Sequence, residues 1–189
     1  MLAARSVCRG PGRAMKSCSA FGTPLRRKWR RFWPRRAAKP GLEARRKRRD
    51  LAAKDVLSNL NLSNKMLLDC CNPFKPDLSG LEVGTTTSGG EMVAEWARGA
   101  KVVKIFNTTG SNNMENPVYA GAAIPMFYCG DDAGAKKTAA QLASDTGFEP
   151  IDAGPLANAR LLEPYAMLWV WLAIKGGMGR EFAFQLLKR

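Results

Sequence analysis

Three short polar clusters follow apolar runs in this chain: Asn72-Pro73 after KMLLDCC, Asn107-Thr108-Thr109 after KVVKIF, and Gly130-Asp131 after PMFYC. Amides, hydroxyls and glycines at the end of a strand bind and position a ligand. In open α/β sheets the ligand lies beyond the carboxyl ends of parallel strands. Such residues also make ordinary turns, so each has a structural reading of equal weight. The chain contains no histidine, which removes the commonest acid/base group and every Ser-His or Cys-His nucleophile pair. Its five cysteines form no C-x-x-C pair, so reduced thiols are expected and a zinc or other metal site is not. Any chemistry here is expected to be carried by a cofactor.

The elements that would position these clusters can be read in order. Lys65 to Cys71 reads as a central parallel strand ended by Asn72-Pro73. Ser88 and Glu91 have capping-box spacing, which predicts a helix to about Ala97 with Met92, Val93 and Trp96 on its apolar side and Gly99 as its stop. The strand Lys101 to Phe106 completes a strand-helix-strand unit. Pro125 to Cys129 predicts a further strand, with Asp131 and Asp132 at the start of a helix whose inner face is Ala135, Ala139, Leu142 and Ala143. Glu149 to Ala153 is a last short strand. Leu161, Tyr165, Leu168, Trp169 and Leu172 recur at helical spacing within Leu161 to Ile174, a stripe suited to a core or a dimer interface. That segment carries Glu163 and Pro164 and falls short of a membrane span. Gly179 to Arg189 is expected to form a final amphipathic helix with Phe182, Leu186 and Leu187 inward. The pattern describes an α/β, Rossmann-like parallel sheet with flanking helices.

Charge divides the chain in two. Residues 1 to 49 hold 17 of the 30 basic residues and one of the 16 acidic ones, Glu43, leaving 13 basic against 15 acidic, a net of −2, for residues 50 to 189. The basic segment cannot build a core, whereas residues 51 to 189 have the composition of a domain. Three readings compete for residues 1 to 50: a targeting peptide, a nucleic-acid arm with Trp29, Phe32 and Trp33 interleaved among its arginines, or an out-of-frame product of a GC-rich gene.

In order, the blocks LLDCCNP, TSGGEMVAEWARGAKVVKIFNTTG, MFYCGDD, IDAGPLANARLLEP and GGMGREFAF make the stretch from about residue 62 to 189 resemble the dinucleotide-binding proteins related to NADPH-dependent reductases of coenzyme F420, a deazaflavin. The resemblance implies a cytoplasmic oxidoreductase that binds NADP(H) and exchanges a hydride with coenzyme F420, a flavin or another small acceptor. By position it places Asn72, Pro73, Asn107, Thr108 and Gly130 against the cofactor, and Met178, Gly179 and Phe182 against the acceptor. It also implies a first Rossmann strand and a G-x-G-x-x-G loop upstream of residue 65, and the chain has neither there, so the first βαβ half is atypical or missing and the activity is expected to be impaired. A homodimer through the C-terminal helices is expected, with no nucleic acid or membrane among the partners. The alternative, from a different class, is a non-catalytic protein that uses the basic arm on nucleic acid or another polyanion.

Overall fold

The computed structural model describes residues 53 to 189, and the three readings of residues 1 to 50 lie outside them. After a short helix over residues 53 to 58 the sheet begins. It is built from β1 (Met66–Asp69), β2 (Lys101–Lys104), β5 (Pro125–Gly130) and β6 (Glu149–Asp152), in the order β1-β2-β5-β6. A small hairpin, β3 (Val118–Tyr119) and β4 (Ala122–Ala123), stands apart from it. The helices are α1 (Gly89–Trp96), α2 (Ala133–Asp145) and α3 (Ala159–Val170), the last running into a single π-helical turn, Trp171–Lys175. No helix among the described residues is long and apolar enough to cross a membrane.

Strand alternation divides the core between two faces. Met126 and Tyr128 of β5 join Val103 and Ile105 against Ala135, Ala139 and Ala143 of α2. Phe127 and Cys129 turn the other way, onto Ala159 and Leu162 at the start of α3. The alanine face lets α2 lie close to the sheet, while Leu142, at its margin, stays 37% exposed. The caps act as their sequences predict: Ser88 accepts the Glu91 N–H, Asp132 accepts the Ala135 N–H, and Gly99 and Gly147 leave their helices in the left-handed conformation (φ 77° and 91°). The Glu91 carboxylate also takes the Ser88 hydroxyl and Arg160.

The α/β, Rossmann-like architecture is present, with four departures from the sequence reading. First, β1 pairs only with β2 and is an edge strand, not a central one, among the described residues. Second, β5 runs antiparallel to β2, with Val103 opposite Gly130. A parallel return needs a crossover, usually a helix. Residues 105 to 124 offer only a 3-10 turn at Ser111–Met114 and the hairpin, so the chain re-enters the sheet from the end at which it left. Third, residues 176 to 189 form an irregular strap instead of a helix. Phe182 and Phe184, two apart, both reach the same ring cluster, which is the period of extended backbone. Leu187, expected inward, is 85% exposed. Fourth, α3 buries Leu162, Glu163, Ala166 and Trp169 and leaves Leu161 (65%) and Leu168 (51%) in solvent. Of the bulky stripe, Trp169 is buried, and the contact with β5 is made by Ala159 and Leu162, which lie beside the stripe.

Candidate functional site

A cleft of about 260 Å³ lies where the ends of β1 and β2 meet α3, its π-turn and the strap. Asn72 and Asn107 form its floor. Asn72 Nδ2 donates to the Asn107 carbonyl at 2.9 Å, and Asn107 Nδ2 donates to Asn72 Oδ1 at 3.0 Å. Each strand end is thereby locked to the other. Phe106, immediately before Asn107, has φ 58°, an uncommon conformation for a bulky residue, which ends the strand and turns the chain toward Asn72. Its ring is held edge-on against Phe148 at 6.3 Å. On the β1 side the Cys71 N–H donates to Asp69 Oδ1 at 2.9 Å, fixing the turn that delivers Asn72. Asn107 is only 4% exposed, and its Oδ1 has no hydrogen-bond partner among the described residues.

Trp169 of α3 forms one wall. Its ring stacks on Phe182 at 5.1 Å and 19°, and its Nε1 donates to the Phe182 carbonyl at 3.2 Å. The same carbonyl accepts Asn113 Nδ2 at 3.0 Å, while Asn112 Nδ2 donates to the Arg180 carbonyl at 2.7 Å. The polar loop after β2 therefore clamps the strap against α3. Gly110 lies directly under the indole, where a Cβ would come within 2.8 Å of Trp169 Cζ2, closer than real Cβ contacts run. Behind the wall, Phe184, Tyr165 and Phe127 continue the ring cluster, and burial pushes the Tyr165 hydroxyl up to about 12. That phenol is no proton carrier at neutral pH.

Beneath the floor sits a buried charge cluster. Lys104 points from β2 to the α3 side of the sheet with none of its surface exposed, and its Nζ lies 2.8 Å from Asp69 Oδ2 and 2.7 Å from Glu163 Oε1. Burial would lower the ammonium's pKa, but Asp69 and Glu163 outweigh it and hold the pKa above its usual value. Glu163 also accepts the N–H groups of Gly89 and Gly90, both at 3.0 Å, so the amino end of α1 is filled by the chain's own carboxylate. Asp132 caps α2 in the same sense. Neither helix start is left open to a phosphate.

The structure brings Asn72 and Asn107 together, and Phe182 joins the site behind Trp169. The other sequence candidates lie elsewhere. Pro73 packs toward Gly89, and Thr108 is buried with its hydroxyl toward Met126 Sδ, leaving Thr109 on the cleft. Gly130 stands at the opposite end of the sheet because β5 is reversed; a Cβ there would come within 2.9 Å of the Val102 carbonyl, so the glycine serves strand packing. Met178 is 58% exposed and Gly179 open, and neither lines the cleft. Sequence reading missed Trp169, Arg180 and Gly110 as cleft residues, and Lys104, Asp69 and Glu163 beneath them. The signal for the last three was present, since charged residues inside apolar segments at 65 to 71, 101 to 106 and 161 to 174 invite pairing.

No family model matches the chain. Its fold is similar to that of a candidate F420-dependent NADP-reductase from Arthrobacter sp. FB24, at 28% identity with a TM-score of 0.59, over 72% of this chain and 74% of that one. The resemblance to the deazaflavin-reductase family holds. A hypothetical protein of Sinorhizobium meliloti shares 29% identity with a TM-score of 0.51, over 57% of this chain and 54% of its own. In sequence, the rat metalloreductase STEAP3 is 31% identical over 112 residues, 58% of this chain. This chain spans only 22% of that protein's length. The fold is α/β and Rossmann-like with a mixed sheet, similar to that of these solved neighbours.

Proposed function

We propose that this chain is an NADP(H)-linked oxidoreductase that holds the nicotinamide half of its cofactor in the cleft above Asn72 and Asn107. The observation that carries the reading is the cleft at the paired ends of β1 and β2, where Asn72 and Asn107 lock each other beside Trp169 in a fold similar to that of an F420-dependent NADP-reductase. When bound, the nicotinamide supplies or receives a hydride. The chain's own residues position and shield: the Asn72–Asn107 pair fixes the floor, and Trp169, Val170 and Ile174 make an apolar wall. The neighbours' descriptions support NADP(H) as cofactor and a deazaflavin, a flavin or another small molecule as acceptor.

Among the described residues neither α1 nor α2 opens its start to the pyrophosphate. The chain has no G-x-G-x-x-G, and the starts of α1 and α2 already hold Glu163 and Asp132. Binding should therefore be weak. The expected assembly is a homodimer through the apolar face of α3 formed by Leu161, Leu168 and Trp171, all at least half exposed. The functional test is NADPH titration of the wild type and Asn107→Leu. The variant also loses the bond to Asn72 Oδ1, so it is expected to melt cooperatively but at a lower temperature than the wild type and to lose binding, and unchanged binding in the folded variant would refute the assignment.

A further inference from the structure

Two cysteines stand side by side where β1 leaves the sheet, Cys70 and Cys71, and both are exposed. They form the whole link between Asp69, the last residue of β1, and Asn72 of the cleft floor. Strand backbone would send neighbouring side chains to opposite faces, but the strand ends at Asp69, and the bond from the Cys71 N–H to Asp69 Oδ1 folds the link into a turn. Partial burial pushes the Cys70 thiol up to about 11, and the charges of Asp69 and Cys71 add to the rise, so the two sulfurs lie close enough to interact. At neutral pH Cys70 is a protonated thiol, slow toward reagents that take a single sulfur. A centre that takes two sulfurs gains from the second one, already at hand in the same chain.

We propose that Cys70 and Cys71 form a bidentate thiol site for a soft, thiophilic centre with two exchangeable positions, such as a trivalent arsenical, and that filling it undoes the turn that delivers Asn72. With an organic arsenoxide, two As–S bonds form, two S–H bonds and the As=O bond break, and one water leaves; arsenic stays trivalent and nothing is oxidised. The closed ring contains the Cys70–Cys71 peptide bond. That peptide supplies the N–H held by Asp69, so ring closure and the turn compete for its orientation. Because the thiols are neighbours in sequence, the unfolded chain holds the arsenical as well as the folded one does, and occupancy brings no stabilisation by mass action to offset the lost turn. The site stands whether or not a nicotinamide binds in the cleft.

Phenylarsine oxide added to the full-length chain carrying Cys8→Ser and Cys18→Ser, in which buried Cys129 is the sole other thiol, tests this by intact mass and by melting. One adduct per chain should form, survive excess reduced glutathione because the second thiol is intramolecular, and come off with dimercaptopropanol. It should lower the melting temperature by about 2–4 °C, the shift that one hydrogen bond is worth in a chain of this size. Cys70→Ser and Cys71→Ser should each abolish the glutathione-resistant adduct. An adduct that glutathione strips, or that persists in either serine variant, would overturn the bidentate site. A stable adduct that leaves the melting temperature unchanged or raises it would overturn the link to the turn.

Discussion

Replacing Lys104 with Met keeps most of the side chain's length and apolar contact but strips two carboxylates of their shared cation. Asp69 is 5% exposed and Glu163 fully buried, so neither can turn to water. Breaking a buried pair from one side costs about 3–5 kcal/mol, because a charge is left uncompensated. Here the lower end applies: Asp69 keeps the Cys71 N–H, and Glu163 keeps those of Gly89 and Gly90. A loss of about 3 kcal/mol is a large part of the roughly 5–15 kcal/mol that holds a domain of this size. Urea unfolding followed by tryptophan fluorescence should show the midpoint falling with little change in slope. A loss below about 1 kcal/mol at neutral pH would refute the view that Lys104 is the hub of the cluster.

Three further outcomes follow from the same geometry. Gly110→Ala should drive a methyl into the Trp169 ring and cost about 1–3 kcal/mol, read as a lower unfolding midpoint and an altered tryptophan emission; a silent substitution would mean that the indole does not lie on the loop. The Arg160 hydrogen bond holds the Glu91 carboxyl below its ordinary 4.5, so Glu91→Gln should destabilise near neutral pH. A depressed folded pKa stabilises above the unfolded value and is lost as pH falls through the folded one, so wild type and variant should converge in acid, and a constant gap down to pH about 2 would contradict the pairing. Leu168→Glu combined with Trp171→Glu should convert a dimer to a monomer in light scattering, and a dimer that survives both charges would place the interface elsewhere.

The elements were legible where local chemistry decides them. Ser88, Asp132, Gly99 and Gly147 marked helix ends, and the apolar runs at 66 to 69 and 125 to 130 marked strands. Strand direction was not legible, because it depends on whether residues 105 to 124 cross the sheet, and no period in that stretch announces a hairpin of two-residue strands. The error moved Gly130 from the site to the far end. The strap was misread as a helix for a related reason: Phe182 and Leu186 fit a helical period, but Trp169, Asn112 and Asn113 hold the backbone extended from a distance. Asn72 and Asn107 could be placed because each lies three residues past the end of its strand. Trp169, thirteen residues before its partner Phe182, reads in sequence as one more core aromatic.

The most direct test of the account is a calorimetric NADPH titration of the folded full-length chain, repeated with reduced nicotinamide mononucleotide or the phosphorylated adenosine half present as competitor. The account predicts saturable binding weaker than about 10 μM, as expected without a phosphate loop, displaced by the nicotinamide fragment and untouched by the adenosine fragment. Displacement by the adenosine half instead, or no binding by a sample that melts cooperatively, would contradict it.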